Sequence, residues 1–390
     1  MPKVSTSSLP LDGLFAIVKP SGPTSMSILD RLKPLLAKSR LLVDQEEYQK
    51  VLAEREKKKK KNRPRSGRMS KPSDRPKLGQ GGTLDPLADG VLVLGVNKGT
   101  KSLGQFLECT KEYRTTGLLG CETDSYDSKG SRVRTSPYAQ ITREDVEKIL
   151  ERFRGEIQQM PPIFSALKMD GKPLYEYARE NKPLPRPIEA RACTVHELVL
   201  ERWIPAAQTP NDAEGHHYTF PENEITEEQR TSMNQIKELV LKAEVDAHPS
   251  EEQSAVTNAL RQATPLSALA GQPDAVGPPA FVLRMVVSSG TYVRSIVHDI
   301  GMALGSAAHV VTLTRTRQGK YNLASAQAAA SQSSASPGVD RPELMDGNCI
   351  KWEVFERALA LTEGEEETSK SEGEEWEEWE QAILQSWSED

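Results

Sequence analysis

The chain has 390 residues, of which 37% are hydrophobic, and its formal net charge is −6. That length and apolar content suffice for one large folded domain or two ordinary ones. No apolar run approaches the roughly 20 residues of a bilayer-spanning helix, and residues 1–9 lack the basic-then-apolar order of a secretory signal, so we expect an intracellular protein without a membrane span.

The predicted elements alternate irregularly between strands and helices. In chain order they are a strand at Ala16–Val18, a helix within Asp44–Glu56, strands at Val91–Val96 and Glu112–Leu119, helices at Arg143–Arg154 and Lys172–Glu180, a strand at Cys193–Trp203, a helix around Thr226–Ala243, a strand at Ala280–Val287 and a helix at Thr291–Leu304. Thr142 and Asp145 are spaced as a capping box for the helix at Arg143. This irregular order favours an α+β fold over a doubly wound one.

Three stretches have the composition of insertions or appendages. Residues 37–76 are basic and predicted to be partly disordered, residues 205–278 are of low complexity with one helix, and residues 325–390 are an Ala/Ser-rich segment followed by an acidic tail. The folded core is therefore assigned to residues 10–36, 77–204 and 279–324. Within the tail, apolar side chains are spaced as a candidate docking helix for another protein: Trp376, Trp379, Ile383, Leu384 and Trp387.

Charges are strongly separated along the chain. Twelve basic residues stand against two acids between Arg55 and Lys77, and twelve acids stand against one lysine between Thr362 and Asp390. The body without its tail is net positive, which favours a polyanionic partner. The lysine-rich stretch suits a phosphate-binding arm or a nuclear-localisation signal equally well, with a solvated linker as the third interpretation. The four cysteines lack metal-site spacing, so we expect reduced thiols and no metal.

The stretch from Gly81 to Gly90 places one carboxylate, Asp85, in constrained backbone. Its glycines allow positive φ or close approach by another molecule, and Pro86 biases Asp85 away from helical geometry. The apolar run that follows predicts a buried strand anchoring this loop to a core. Asp85 is thus either a fixed reactive carboxylate or a capping residue.

Two further residues are candidates for chemistry. Arg294 falls in the first turn of a predicted helix, off its apolar stripe, where a cation opposes the helix dipole; a nearby carboxylate or phosphate would explain it, and an exposed surface arginine is the alternative. Tyr113 lies in a predicted strand. It is suited either to stacking on a nucleobase or to ordinary packing in a sheet. Asp124 and Asp127, in the loop beyond that strand, are more typical of turns than of metal sites.

These residues lie in strings that resemble the motifs of the TruB family of pseudouridine synthases. The string Gly79–Leu92 resembles the family's catalytic motif, and six shorter strings occur in the family's order: Lys19–Ser25, Lys111–Arg114, Gly120–Gly130, Pro162–Arg179, Ser289–Arg294 and Ala308–Thr316. Each short string is weak evidence alone, but their order over roughly 200 core residues is highly specific. The resemblance covers the three core pieces and none of the insertions.

The resemblance implies an α+β pseudouridine synthase fold, with a central mixed or antiparallel sheet flanked by helices. No good match to the RNA-binding PUA module is present. The implied activity is isomerisation of uridine 55 in the T loop of tRNA, and of T-loop-like mRNA sites, by cleavage of the N-glycosidic bond and rejoining through carbon. It needs neither a cofactor nor a metal. A monomer acting on the T-arm of tRNA is expected.

The resemblance also implies roles for individual residues. Asp85 is the catalytic aspartate, Arg294 pairs with its carboxylate, and Tyr113 packs on the target base. The remaining expected contacts support the Asp85 loop, make room for a flipped nucleotide or wall the pocket: Lys19, Gln80, Gly81, Gly82 and Leu313. Gln80 departs from the histidine of many bacterial members, which weakens any stacking role there.

Several alternatives stay open at this level. The same scaffold suits a non-catalytic RNA-binding or RNA-folding protein, and it suits a guide-dependent synthase of the dyskerin type. Asp85 is either a nucleophile at C1′ or a base at C2′. Insertions of this kind are most simply explained by a eukaryotic member of the family, in the nucleus, the mitochondrion or the cytoplasm.

Overall fold

The computed structural model describes residues 9–60, 76–180, 182, 184–209, 212, 214–231, 233, 277–323, 347–362 and 376–387. Across these ranges, none of the helices combines the length and apolar character that a bilayer span requires. The lysine-rich residues 61–75 lie outside them, so the interpretation of that stretch stays a prediction. Most of the helix predicted around Thr226–Ala243 also lies outside, although helical backbone does begin at Glu227.

Strands and helices alternate irregularly along the described ranges. The strands are β1 Gly13–Lys19, β2 Leu78–Gln80, β3 Asp89–Val96, β4 Lys111–Leu119, β5 Cys121–Thr123, β6 Arg132–Thr135, β7 Gly155–Gln159, β8 Lys168–Met169, β9 Lys172–Pro173, β10 Arg191–Ile204, β11 Ala280–Val287, β12 Ala308–Gln318, β13 Tyr321–Asn322 and β14 Ile350–Lys351. The helices are α1 Ser25–Ala37, α2 Gln45–Lys60, α3 Gly104–Glu108, α4 Arg143–Leu150, α5 Leu174–Arg179, α6 Val293–Ala303, α7 Trp352–Thr362 and α8 Glu378–Ser386. Short 3₁₀ helices span Asn97–Lys101 and Glu151–Phe153.

The chain divides into two compact units. Unit 1 comprises Met1–Cys109, Arg315–Ser333 and Pro342–Asp390, and unit 2 comprises Thr110–Thr314 and Ser334–Arg341. The chain passes from unit 2 to unit 1 within strand β12, between Thr314 and Arg315.

Unit 1 is built on a mixed sheet with strand β1 at its centre. Strand β1 pairs antiparallel with β3 from Gly13↔Val96 to Lys19↔Gly90, and it pairs parallel with β14 on its other side. Every residue of β1 and β3 is buried. Such continuous burial explains why both strands are almost uninterrupted apolar runs rather than alternating ones. Strand β3 leads directly out of the loop that carries Asp85.

The C-terminal segment packs on this same sheet, which corrects one prediction. The tail does form a helix, α8, but Trp379, Ile383 and Leu384 are buried, and the Trp387 ring stacks on Phe15 of β1 with centroids 6.2 Å apart. Helix α7 adds Phe355, 6.5 Å from the same Phe15 ring. The predicted docking of Trp379, Ile383, Leu384 and Trp387 to another protein is therefore wrong, because they complete the apolar core of their own chain. Trp376 is half-buried, and a protein partner for the rest of the acidic tail stays a prediction.

Unit 2 is a sheet of antiparallel pairs. Strand β11 lies between β4 and β10, with Met285 opposite Tyr113, and β10 pairs in turn with β7. Thr142 and Asp145 cap α4 reciprocally, as the sequence predicts. Mixed and antiparallel sheets flanked by helices confirm the expected α+β class.

Predicted and observed elements agree best where periodicity is strong. All five predicted strands are present, and β11 has the predicted bounds. Helix α1 and strand β12 are additional to the predicted elements. Leu41 and Leu42 are buried, so packing of the first core piece extends beyond residue 36. His216 and Ile225 are also buried, so part of the segment 205–278 packs in unit 2.

Truncating Ile383 to alanine tests the C-terminal packing. Ile383 is completely buried, and its removal should lower the free energy of unfolding by about 2–5 kcal/mol through lost burial and a cavity. Leu361→Ala is the matched control, because that side chain on neighbouring α7 is 70% exposed. Equal urea midpoints for the two variants would contradict the packing described.

Candidate active site

The loop between β2 and β3 holds Asp85 half-buried at the edge of the unit 1 sheet. Two of its glycines are required by geometry. Gly82 has a φ of 126°, and Gly90 has a φ of 101° with space so limited that a Cβ atom would lie 2.3 Å from the Arg315 carbonyl oxygen. L-residues rarely adopt such values, so these positions need glycine. The loop also closes on itself through a hydrogen bond from the Ala88 amide to the Asp85 carbonyl, at 3.1 Å.

The segment from Lys19 to Ser25 fixes the backbone on both sides of Asp85. Before Asp85, the Ser25 hydroxyl accepts from the Leu84 amide at 2.9 Å and lies 3.0 Å from the Leu84 carbonyl oxygen, to which it donates. After Asp85, donors of this segment reach three successive carbonyls: Gly22 N to Pro86 O at 2.7 Å, Ser21 Oγ to Leu87 O at 2.7 Å, and Lys19 Nζ to Ala88 O at 2.6 Å. The main chain on both sides of Asp85 is thereby held in place. The expected support of this loop by Lys19 agrees with these contacts.

Two buried cations lie behind the loop. Lys19 is fully buried, and burial lowers its pKa to about 8, although the nearby Asp89 and Asp85 carboxylates oppose this shift. The Arg315 guanidinium is also buried and donates from Nε to Val91 O at 2.8 Å and from Nη2 to Gly82 O at 3.3 Å. It contributes to the lowered pKa of Lys19. Both positive charges thus lie against the backbone of the Asp85 loop.

Gln80 and Gly81 make hydrogen bonds that stabilise the start of the Asp85 loop. Gln80 Nε2 donates to the Thr83 hydroxyl at 3.1 Å, which ties the start of the loop together. Gly81 donates its amide to Val93 O at 2.9 Å and accepts at its carbonyl from Gln318 Nε2. Any contact of these residues with a nucleotide stays a prediction.

Arg294 is the second residue of α6, in unit 2, and it is buried rather than off the buried surface as predicted. Every residue in the first turn of α6 is buried. The helical-wheel prediction that Arg294 lies off the buried surface is therefore wrong. The guanidinium donates from Nη1 to Ser125 O at 2.5 Å and from Nη2 to Phe164 O at 2.9 Å. Its Nε lies 3.8 Å from Asp127 Oδ2, so a carboxylate does accompany this cation, as its position indicated.

Asp127 is itself held by the turn it belongs to. Its Oδ1 accepts from the Ser125 hydroxyl at 2.8 Å and from the Lys129 amide at 2.9 Å. Asp124 Oδ1 accepts from the Ser131 amide at 2.9 Å. Both carboxylates therefore shape the turn, as predicted, and Asp127 also faces Arg294.

Tyr113 and Leu313 are placed on neighbouring strands of unit 2. Tyr113 lies on β4, and Leu313 lies on the part of β12 linked to β4 by a hydrogen bond from Thr115 Oγ1 to Thr312 O at 2.8 Å. Both side chains are buried. Their expected roles, packing on the base and walling the pocket, stay predictions.

In unit 1, Lys19, Gln80, Gly81 and Gly82 lie within or beside the Asp85 loop. In unit 2, Tyr113 and Leu313 lie on neighbouring strands, whereas Arg294 lies on α6. Asp85 belongs to unit 1 and Arg294 to unit 2, and their pairing stays a prediction. Sequence reasoning missed Ser25 and Arg315, although both lie in the quoted family strings. Across the described ranges, no group of three or more His, Cys, Asp or Glu side chains is arranged to hold a metal ion.

The lowered pKa of Lys19 predicts a specific pH dependence of stability. Its folded value of about 8 lies below its ordinary value of 10.5, so the unfolded chain binds more protons between these two pH values. This lysine should therefore make the free energy of unfolding rise with pH across that window, and Lys19→Met should remove the contribution. Urea unfolding of both proteins at about pH 7.5 to 10.5 measures the difference, and parallel curves would contradict a buried, desolvated lysine.

Comparison with known proteins agrees with the motif order. A family model described as the N-terminal domain of TruB family pseudouridylate synthase matches residues 69–214, and one described as the tRNA pseudouridylate synthase B C-terminal domain matches residues 294–332. A solved Cbf5–Nop10–Gar1 complex is similar at 18% identity and a TM-score of 0.44, covering 97% of this chain and 60% of that one.

Two yeast relatives extend the match over most of the chain. The tRNA pseudouridine synthase 4 of Schizosaccharomyces pombe is 38% identical over 340 residues, covering 80% of this chain and 79% of that protein. The protein of the same name in Saccharomyces cerevisiae is 35% identical over 329 residues, with 80% and 78% covered. With these relatives, and with Asp85 fixed in its loop by the Lys19–Ser25 segment, the chain belongs to the TruB family of pseudouridine synthases.

Proposed function

We propose that this TruB-family pseudouridine synthase converts uridine 55 in the T loop of tRNA to pseudouridine without a guide RNA. The observation that carries the proposal is Asp85, a half-buried residue whose main chain is fixed by hydrogen bonds on both of its flanks. A reactive group held in this way loses little entropy when the substrate arrives, which is a main source of catalytic rate. T-loop-shaped sites in mRNA would present the same target and form part of the proposal.

The reaction is an isomerisation, so its atoms balance without a co-reactant. The bond between N1 of uracil and C1′ of ribose breaks, the base turns, and a bond forms between C5 and C1′. The proton on C5 leaves, and N1 ends protonated. One ionised carboxylate is required at the sugar, either to attack C1′ or to remove the C2′ proton, and Asp85 fits both roles.

The charges around Asp85 and Arg294 support this assignment. Lys19 and Arg315, in unit 1, place two buried positive charges against the Asp85 loop, and Lys19 interacts electrostatically with the Asp85 carboxylate. In unit 2, Arg294 is held by two carbonyl oxygens and faced by Asp127, so its guanidinium is oriented before substrate binds. We assign Arg294 as the partner of the Asp85 carboxylate and Tyr113 as the platform for the base. The target uridine leaves its stack to reach them.

Replacing the carboxylate by its neutral isostere tests the function directly. Purified wild-type protein, incubated with an unmodified tRNA transcript and no other RNA, should form pseudouridine at position 55, as mapped by chemical labelling. Asp85→Asn should lower the rate by about 10³-fold or more while tRNA binding is retained, because only the reacting group changes. Asp30→Asn, on the exposed side of α1, is the matched control and should leave the rate unchanged.

Other outcomes distinguish the alternatives. Tight tRNA binding with no product from the wild-type protein would indicate a binding or folding role. Product only after addition of a guide RNA would indicate a guide-dependent synthase. Pseudouridine at a tRNA position other than 55 would contradict the assigned target but not the chemistry.

A further inference from the structure

The orientation of the Arg294 guanidinium depends on the short loop of residues 125–127, whose backbone conformation is unusual. Its two contacts on this loop are the Ser125 carbonyl oxygen and the Asp127 carboxylate, so the residue between them, Tyr126, decides where both acceptors lie. Tyr126 has a φ of 61°, in the left-handed region that a bulky residue rarely adopts. Such backbone persists only where its surroundings over-determine it.

Main-chain hydrogen bonds are the first set of contacts that hold Tyr126 in this conformation. The Val310 amide donates to Tyr126 O at 3.0 Å, and the Ser128 amide donates to Val310 O at 2.8 Å, so the loop is bound to the edge of β12. These bonds fix where the loop lies. They would be available to any residue at position 126, so they do not explain a tyrosine there.

The tyrosine ring supplies a second anchor, on the helix that carries Arg294. It stacks on the ring of His298 with centroids 3.9 Å apart and an interplanar angle of 20°. His298 follows Arg294 by four residues in α6, so both side chains lie on the same side of the helix. One helical face therefore contacts the loop twice, by the Arg294 guanidinium and by the His298 ring.

His298 is hydrogen-bonded through Nδ1, and its Nε2 lies within ion-pair distance of a second carboxylate. Nδ1 lies 2.8 Å from Asp299 Oδ1, and Nε2 lies 3.5 Å from Oε1 of Glu122, a buried residue of β5. Glu122 Oε2 also accepts from Arg134 Nε at 2.6 Å. Burial alone would lower the pKa of His298, but the hydrogen bond to Asp299 and the nearby Glu122 carboxylate outweigh it and raise the pKa above its ordinary value.

We propose that Tyr126 and His298 are positioning residues for Arg294, their stacked rings holding the Ser125–Asp127 loop so that the guanidinium keeps one orientation. The inference rests on the proposed function, in which Arg294 acts on the Asp85 carboxylate. A guanidinium displaced by about 1 Å leaves the other RNA-binding groups in place but no longer matches the reacting geometry. Loss of the stack should therefore appear in turnover rather than in tRNA affinity.

Two substitutions at position 126 distinguish the effect of the aromatic ring from the effect of the backbone conformation. Tyr126→Asn removes the ring but tolerates positive φ, whereas Tyr126→Phe keeps the ring and removes only the hydroxyl. In steady-state assays on tRNA transcript, Tyr126→Asn should lower kcat by about tenfold or more with KM within about twofold of wild type. Tyr126→Phe should keep kcat within about twofold of wild type. His196→Ala, an exposed histidine on β10, is the control for general effects in unit 2.

A folding check accompanies each variant, by thermal unfolding and by tRNA affinity. Where Tyr126→Asn does not fold, His298→Gln replaces it, because it removes the partner ring while leaving hydrogen-bonding groups for Asp299 and Glu122; the same loss of kcat is expected. Wild-type kcat in a folded ring-deleted variant, equal losses for Asn and Phe, or a rise in KM alone would overturn the positioning role. Failure of the wild-type protein to modify position 55 would instead contradict the proposed function.

Discussion

The hydrogen bonds from the Lys19–Ser25 segment to the backbone around Asp85 are the constraint on which the site in unit 1 depends. An aspartate between a half-exposed glycine loop and a buried strand would otherwise sample many orientations, at a backbone entropy cost of about 1–2 kcal/mol per residue on ordering. Here that ordering takes place on folding. Successive donors from one segment reach the carbonyls of residues 86–88, and Ser25 satisfies both polar groups of Leu84. The main chain of Asp85 is thereby ordered before substrate arrives.

Charge burial behind this loop has a cost that the fold offsets locally. Lys19 and Arg315 are almost completely removed from water, yet each donates to backbone carbonyls of the loop or of β3. Buried ions are tolerated when paired and hydrogen-bonded, and removing one partner leaves the others uncompensated. A similar arrangement occurs in unit 2, where the buried Glu122 carboxylate pairs with Arg134 and lies near His298, beside the loop that orients Arg294. In both units, a candidate catalytic side chain is surrounded by groups whose role is to hold it in place.

Much of this arrangement is predictable from the sequence, and the failures have physical causes. Strands buried on both faces are recognisable as apolar runs. The family strings identify Asp85 and Arg294 as candidate catalytic residues. The helical wheel places Arg294 off the buried stripe because it assumes one buried face, whereas tertiary contacts cover the whole first turn of α6. The apolar face of the tail helix is recognisable in the sequence, but its assignment to an outside partner fails because no local pattern shows that it packs on β1 of the same chain. The His298–Tyr126 stack cannot be predicted in this way, because it joins residues far apart in the chain with no local pattern.

Amide hydrogen exchange at residues 84 to 88 tests the central claim most directly. The Leu84 amide donates to the buried Ser25 hydroxyl, and the Ala88 amide donates to Asp85 O, so both should exchange as slowly as the amides of β3. In Ser25→Ala, protection at Leu84 should fall while that of β3 is retained. Rapid, loop-like exchange of the Leu84 amide in the wild-type protein would contradict the claim that the main chain around Asp85 is fixed on folding.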